Sequence, residues 1–159
     1  MPIAFLIGRW RSEFSGKAFF PTIPKFTYGE ELNFSAHGYF SANGFLRYIS
    51  YAWSNSDGSE MHSEYGFITV ENGTRNLVMN TVMSNGFITI EKGIENSQSI
   101  EFTLKRIGRL NFSHDLPVTS MVRIWTLLDE NRLENQLWMS TITHRLTKHT
   151  SIIYDRICP

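Results

Sequence analysis

Two short groups of residues have the types and spacing to do chemistry: Met61-His62-Ser63-Glu64, and Met139 with His149, ten positions apart with Leu146 between them. A neutral imidazole is a nitrogen donor for a metal, and a thioether is a soft, adaptable packing group. The plainer reading of His149 is a surface histidine at the start of a strand, because five histidines occur and most histidines are structural or solvated. For Met61 and Met139 the plainer reading is ordinary interior packing. His62 reads either as a second pocket imidazole or as a hydrogen-bonded core residue. His144 falls in a connector and is expected to be exposed, and His37 and His114 read as turn or strand-edge residues.

Other chemistries find little support. Glu30 and Glu31 are adjacent, so in a strand they point to opposite faces and form no acid–base pair. His62 and Glu64 share a face two residues apart, which allows proton transfer without specifying it. The chain shows no nucleophile-elbow pattern, no phosphate-cradling glycine loop and no Cys/His grouping with zinc spacing.

Composition narrows the class further. The chain has 159 residues, 42% hydrophobic and 19% charged, enough to bury a core as one domain. Fifteen basic and fifteen acidic residues cancel, and no tract gathers the Lys and Arg of a nucleic-acid footprint. The apolar start Pro2 to Ile7 lacks a basic flank and is followed at once by Arg9 and Arg11, so no secretory signal is expected. No stretch is long enough to span a bilayer as a helix. Cys158 is the only cysteine and cannot form an internal disulfide. A cytoplasmic, reducing setting without a membrane is the expectation, and the sequons at Asn33, Asn72 and Asn111 then read as chance matches.

The elements that must position these side chains are strands. Runs rich in aromatic and β-branched residues cover 26–34, 43–53, 61–70, 76–81, 86–91, 99–107, 118–127, 132–139 and 149–157, after a first strand near Gly8. Turn chemistry separates them, as in Ser56-Asp57-Gly58, Glu71-Asn72-Gly73, Ser84-Asn85-Gly86 and Asp129-Glu130-Asn131. No window holds a helical apolar period over three turns. About ten strands with short turns predict an all-β fold, a closed up-and-down antiparallel barrel, because closure removes exposed edges. Such a barrel encloses space for one small ligand. The longest irregular stretch is expected between Trp10 and Phe26, stiffened by Pro21 and Pro24. Period two groups Leu133, Asn135, Leu137 and Met139 on one face, and His149, Ser151 and Ile153 on one face of the last strand.

Several motifs then occur in order. Gly8-Arg9-Trp10 looks like a Gly-x-Trp entry strand, and Phe20-Pro21-Thr22-Ile23 like a Tyr-Pro-Thr-Ile segment. Phe26-x-Tyr28-x-Glu30-Glu31, Met61-His62-Ser63-Glu64-Tyr65-Gly66-Phe67 and the Met139 to His149 spacing follow, with Gly86-x5-Lys92-Gly93 a looser match. In this order the chain resembles the nitrobindin family, the haem-binding β-barrel domain also found behind the zinc finger of some THAP-type proteins. The resemblance covers 1–159 as one domain of the lipocalin and fatty-acid-binding-protein shape.

The resemblance implies one b-type haem per chain, with His149 as the axial ligand of its iron. It also implies that Met61, His62, Met139, Met83, Thr22 and Ile23 line the haem site. A ferric haem with one open face is then expected to bind nitric oxide and to isomerise peroxynitrite to nitrate, the iron carrying the reaction. Val82-Met83 replaces the family's usual Ala-Gln and makes that wall more apolar, and the stretch Arg109 to His114 departs from the usual Arg-Thr-x-x-Ala-Lys. After Trp10 only Gly16 remains of the Gly-x-Gly that many members carry.

The alternative is a non-catalytic barrel for a fatty acid or another apolar ligand, which Gly8-x-Trp10 and the meander support equally. The connection from Trp10 to Phe26 is short for a two-helix lid, and no arginine pair near the C-terminus is spaced to hold a carboxylate. A protein-binding module, suggested only by scattered aromatics, has no specific motif behind it.

Overall fold

The computed structural model describes residues 1–21, 23–36 and 44–159. Among these, a 3₁₀ turn over Ala4–Leu6 precedes the strands β1 (Gly8–Ala18), β2 (Phe26–Ser35), β3 (Phe45–Ser54), β4 (Glu60–Val70) and β5 (Asn76–Met83). The strands β6 (Phe87–Asn96), β7 (Ser99–Arg109), β8 (Val118–Asp129), β9 (Arg132–Thr141) and β10 (Thr147–Cys158) complete the fold. Every neighbouring pair is antiparallel, and β10 pairs with β1 to close the barrel. Closure leaves no strand edge to template aggregation. No helix among the described residues is long and apolar enough to cross a membrane.

The stretch after Trp10 is more regular than its composition suggests, which corrects the expectation of a loop from Trp10 to Phe26. β1 resumes after an interruption: Ser12 pairs with Glu30, and the next pair is Gly16 with Tyr28. Residues Glu13 to Ser15 bow out between them. Gly29 makes room, since a Cβ there would overlap Trp53 and the Glu13 carbonyl. The irregular connection is therefore only 19–25.

The two ends of the barrel differ. At one end aromatic side chains fill the interior, with Phe34 edge-on to Trp125 at 5.1 Å between ring centroids, Tyr48 at 5.3 Å and Phe102 at 5.7 Å from the same indole. Each fully buried side chain of this kind contributes ~1.5–3 kcal/mol of transfer free energy. The 3₁₀ turn plugs this end with Ile3 and Leu6, both fully buried, and Trp10 Nε1 donates to the Leu6 carbonyl at 2.8 Å. Arg156, near the other terminus, donates to the Ile7 and Phe5 carbonyls at 2.8 and 3.1 Å and stacks over Trp10. The opposite end, reached by the loops β1–β2, β3–β4, β5–β6, β7–β8 and β9–β10, opens into a cavity.

Candidate functional site

The cavity encloses about 520 Å³, within the ~300–1,000 Å³ typical of small-molecule sites. Its walls are mainly apolar, and His149, Met61, His62, Met83, Met139 and Ile23 all line it. Thr22 lies outside the described residues. Ile23 and Met61 sit at the rim, 50% and 44% exposed, whereas Met83 is buried.

His149 reaches the cavity through a fault in strand pairing. Lys148 pairs with Trp138 and Thr150 with Leu137, so His149 is an extra residue without a partner on β9. On β10 the inward side chains are Ile152 and Tyr154, both buried, while Ile153 faces out. Strict alternation from them would point His149 outward. The bulge shifts the parity by one and turns it inward, 2% exposed, so the expected grouping with Ser151 and Ile153 is corrected. His149 and Thr150 then both line the cavity. The same device recurs on β4, where Ala52 pairs with His62 and Trp53 with Glu60, leaving Met61 as the extra residue. Met61 and His62 both line the cavity as a result. Around the closed barrel, β10 and β4 have β1, β2 and β3 between them on one side and β5 to β9 on the other. The two bulges therefore stand on nearly opposite walls.

The His149 ring is oriented by its backbone. Nδ1 lies 2.9 Å from the Thr147 carbonyl, which can only accept, so in the neutral imidazole Nδ1 carries the proton and Nε2 keeps its lone pair. Among the described residues Nε2 has no hydrogen-bond partner. Phe20 packs edge-on against the ring at 5.4 Å. A metal-bound histidine is ordinarily held in this way, with its other nitrogen on a carbonyl or carboxylate. An imidazole donor over an apolar, methionine-rich slot fits a haem. It does not fit a multi-ligand ion site, and no cluster of three or more His, Cys, Asp or Glu side chains able to hold a metal occurs among the described residues.

Deeper in, the lining becomes polar. Arg123 Nη1 donates to Glu64 at 3.0 Å and its Nε to Glu91 at 3.0 Å. The Tyr48 hydroxyl donates to Glu64 at 3.0 Å and the Thr89 hydroxyl to Glu91 at 2.9 Å. His62 Nε2 lies 3.1 Å from Glu64. Burial would raise the Glu64 carboxyl, but the Arg123 charge and the His62 contact hold it well below the usual carboxylate range. Burial works against protonation of His62, and the Glu64 carboxylate overcomes it and raises the imidazole. Glu30 stands apart: it accepts from the Tyr154 hydroxyl at 3.0 Å, and Tyr154 accepts from Asn135 Nδ2 at 3.1 Å. Burial, with the Glu64 charge adding to it, pushes Glu30 up to about 7. Glu31, on the opposite face of β2 from Glu30 as expected, pairs with Arg9 and Arg11.

The sequence reading missed Glu30, Arg123 and Asn135 as cavity residues, and Glu91 as the buried partner of Arg123. A signal existed: Met121, Arg123 and Trp125 share parity on β8, so an arginine on the face of a buried tryptophan had to be internal. His144, expected to be exposed, is half-buried and lines the mouth, its Nδ1 2.8 Å from the Thr143 hydroxyl. His114 is exposed in the β7–β8 loop as expected, and His37 lies outside the described residues.

A family model described as "THAP4-like, heme-binding beta-barrel domain" matches residues 1–156. The chain belongs to this family. It is 50% identical to the uncharacterized protein C28H8.5 of Caenorhabditis elegans over 99% of this chain and 56% of that protein. It is 30% identical to the peroxynitrite isomerase THAP4 of Bos taurus over 99% of this chain and 26% of that protein. The chain thus spans about half and about a quarter of these two relatives' lengths. The crystal structure of Rv2717c from M. tuberculosis superposes with a TM-score of 0.81 at 26% identity, covering 97% of this chain and 94% of that one. As a THAP4-like barrel, the chain has the closed antiparallel architecture its alternation predicted.

Proposed function

We propose that this barrel is one domain binding one b-type haem, with His149 Nε2 as the axial donor. The observation that carries the reading is the bulge at His149, which turns a buried imidazole inward and fixes its tautomer through the Thr147 carbonyl. The haem-binding family and the relatives named peroxynitrite isomerase support it. When bound in the ferric state, the haem supplies an iron with one open face, suited to nitric oxide and to conversion of peroxynitrite to nitrate. Phe20 fixes the plane of the His149 ring, and Met61, Met83 and Met139 supply soft contact surface. Ile23 and Met61 shield the mouth from water. His62 holds a proton beside Glu64.

The fatty-acid reading loses ground here. Arg123, the buried arginine of the cavity lining, is already held by Glu64 and Glu91 and has no charge left for a ligand carboxylate.

Haemin titration followed by absorbance tests the proposal. The wild type is expected to give a saturable Soret shift, lost or altered in His149→Ala. No saturable shift in the wild type overturns the haem reading and directs attention to apolar ligands.

A further inference from the structure

Two carboxylates, Glu30 and Glu64, line the polar depth of the cavity beside the guanidinium of Arg123, with Glu91 buried behind it. Glu64 and Glu91 are each paired with Arg123. Glu30 has only the neutral Tyr154 hydroxyl. A cavity-lining carboxylate without a cationic partner is costly to ionise, and such groups concentrate at functional sites.

The hydroxyl and guanidinium donors beside these carboxylates are committed to them. Tyr154 donates to Glu30, Tyr48 to Glu64, Thr89 to Glu91, and Arg123 to both of its carboxylates. Asn135, 7% exposed, leaves Oδ1 buried without a partner, so it adds a vacant acceptor. An anion entering this space finds acceptors and excess negative charge. Among the protons it can draw on are those of the Glu30 carboxyl and of His62.

We propose that Glu30 is a specificity-determining residue of the cavity: it admits an anion together with a proton and disfavours anions once ionised. This rests on the haem reading, because the iron is what would hold the anion. The titratable groups facing Glu30 are Tyr28 on its own strand, Tyr48 on β3, His62 and Glu64 on β4, Arg123 on β8 and Tyr154 on β10, with Glu91 on β6 behind Arg123. Its register partner on β1 is Ser12, which does not titrate. Burial and the Glu64 charge raise the Glu30 carboxyl into the neutral range, so its charge changes where the protein can use it. His62 works in the same sense, adding positive charge as pH falls.

The test is azide binding to the ferric, haem-loaded protein from pH 6 to 9, read from the Soret band. Azide is an anion throughout this range. The dissociation constant is expected to rise above pH 7 with a slope approaching about tenfold per unit, the limit for one linked proton. Glu30→Gln should lose that rise, and His62→Gln should keep it. Tyr154→Phe removes the hydroxyl that favours ionised Glu30, so the rise should begin at higher pH. A wild-type affinity flat over this range, or a rise lost in His62→Gln and kept in Glu30→Gln, overturns the proposal. A Soret band with flat affinity defeats this inference alone, whereas absence of a Soret band in the wild type defeats the haem reading with it.

Discussion

The Thr147 carbonyl, two residues back along β10, accepts the Nδ1 proton of His149 at 2.9 Å beside the bulge that His149 itself forms. The acceptor is backbone, so no side-chain substitution at Thr147 removes it. His149→Ala should therefore leave an imidazole-shaped space beside Phe20 with its acceptor intact. Free imidazole at millimolar concentration is expected to restore a Soret shift in His149→Ala and not in His149→Leu, where the space is filled. Parallel haemin titrations of the two variants check this.

Arg123 holds two buried carboxylates, and removing it should cost more than any surface change. Arg123→Met leaves Glu91 buried without a counter-charge and Glu64 with only His62, a loss of about 3–5 kcal/mol at neutral pH. The pH dependence follows from Glu64, whose folded carboxyl is depressed by Arg123. In the wild type its contribution is present above the unfolded carboxylate range and lost as pH falls toward the depressed value. In Arg123→Met the sign reverses, because a buried carboxylate that has lost its guanidinium is stabilised by protonation. Urea midpoints of the two proteins should converge between pH 7 and pH 5.

Glu30 has the opposite linkage. Its folded value is raised to about 7 from an ordinary 4.5. The stability it contributes is complete below the unfolded value and is lost as pH rises through the folded one, up to about 3 kcal/mol in total. In the haem-free protein, Glu30→Gln should be more stable than the wild type at pH 8 and no more stable at pH 4.5. Urea unfolding at the two pH values decides the matter.

The β6–β7 hairpin turns on Ser97 and Gln98, both non-glycine residues at positive φ, 50° and 61°. Such a two-residue turn favours Asn-Gly, since most side chains are strained there. The Gln98 N–H donates to the Glu95 carboxylate and its carbonyl accepts from the Leu127 N–H; both bonds use only the Gln98 backbone, so glycine keeps them. Gln98→Gly should raise stability by about 1 kcal/mol, read as a higher melting temperature with unchanged haemin uptake.

Much of the architecture was legible because alternation and turn residues repeat along the chain. The grouping of Leu133, Asn135, Leu137 and Met139 on one face needed nothing more, and the fold turns that face inward. What alternation cannot show is a place where it slips. His149 and Met61 each occupy such a slip, so the rule that found the strands pointed His149 the wrong way. The continuation of β1 was hidden likewise, because Glu13 to Ser15 carry no strand pattern and the permission to bow lies in Gly29 on another strand. The charged floor was missed for a different reason. Glu91 and Arg123 read as surface residues until each other's presence balances them, and that pairing joins β6 to β8.

The N-terminal plug bears on how this barrel can be carried. Arg9 is the register partner of Cys158, and Arg156 ties the first turn to the last strand, so both chain ends leave from the plugged pole. Sequence appended to either end starts away from the cavity mouth. The barrel can serve as a cassette in longer polypeptides without its neighbours shading the entrance.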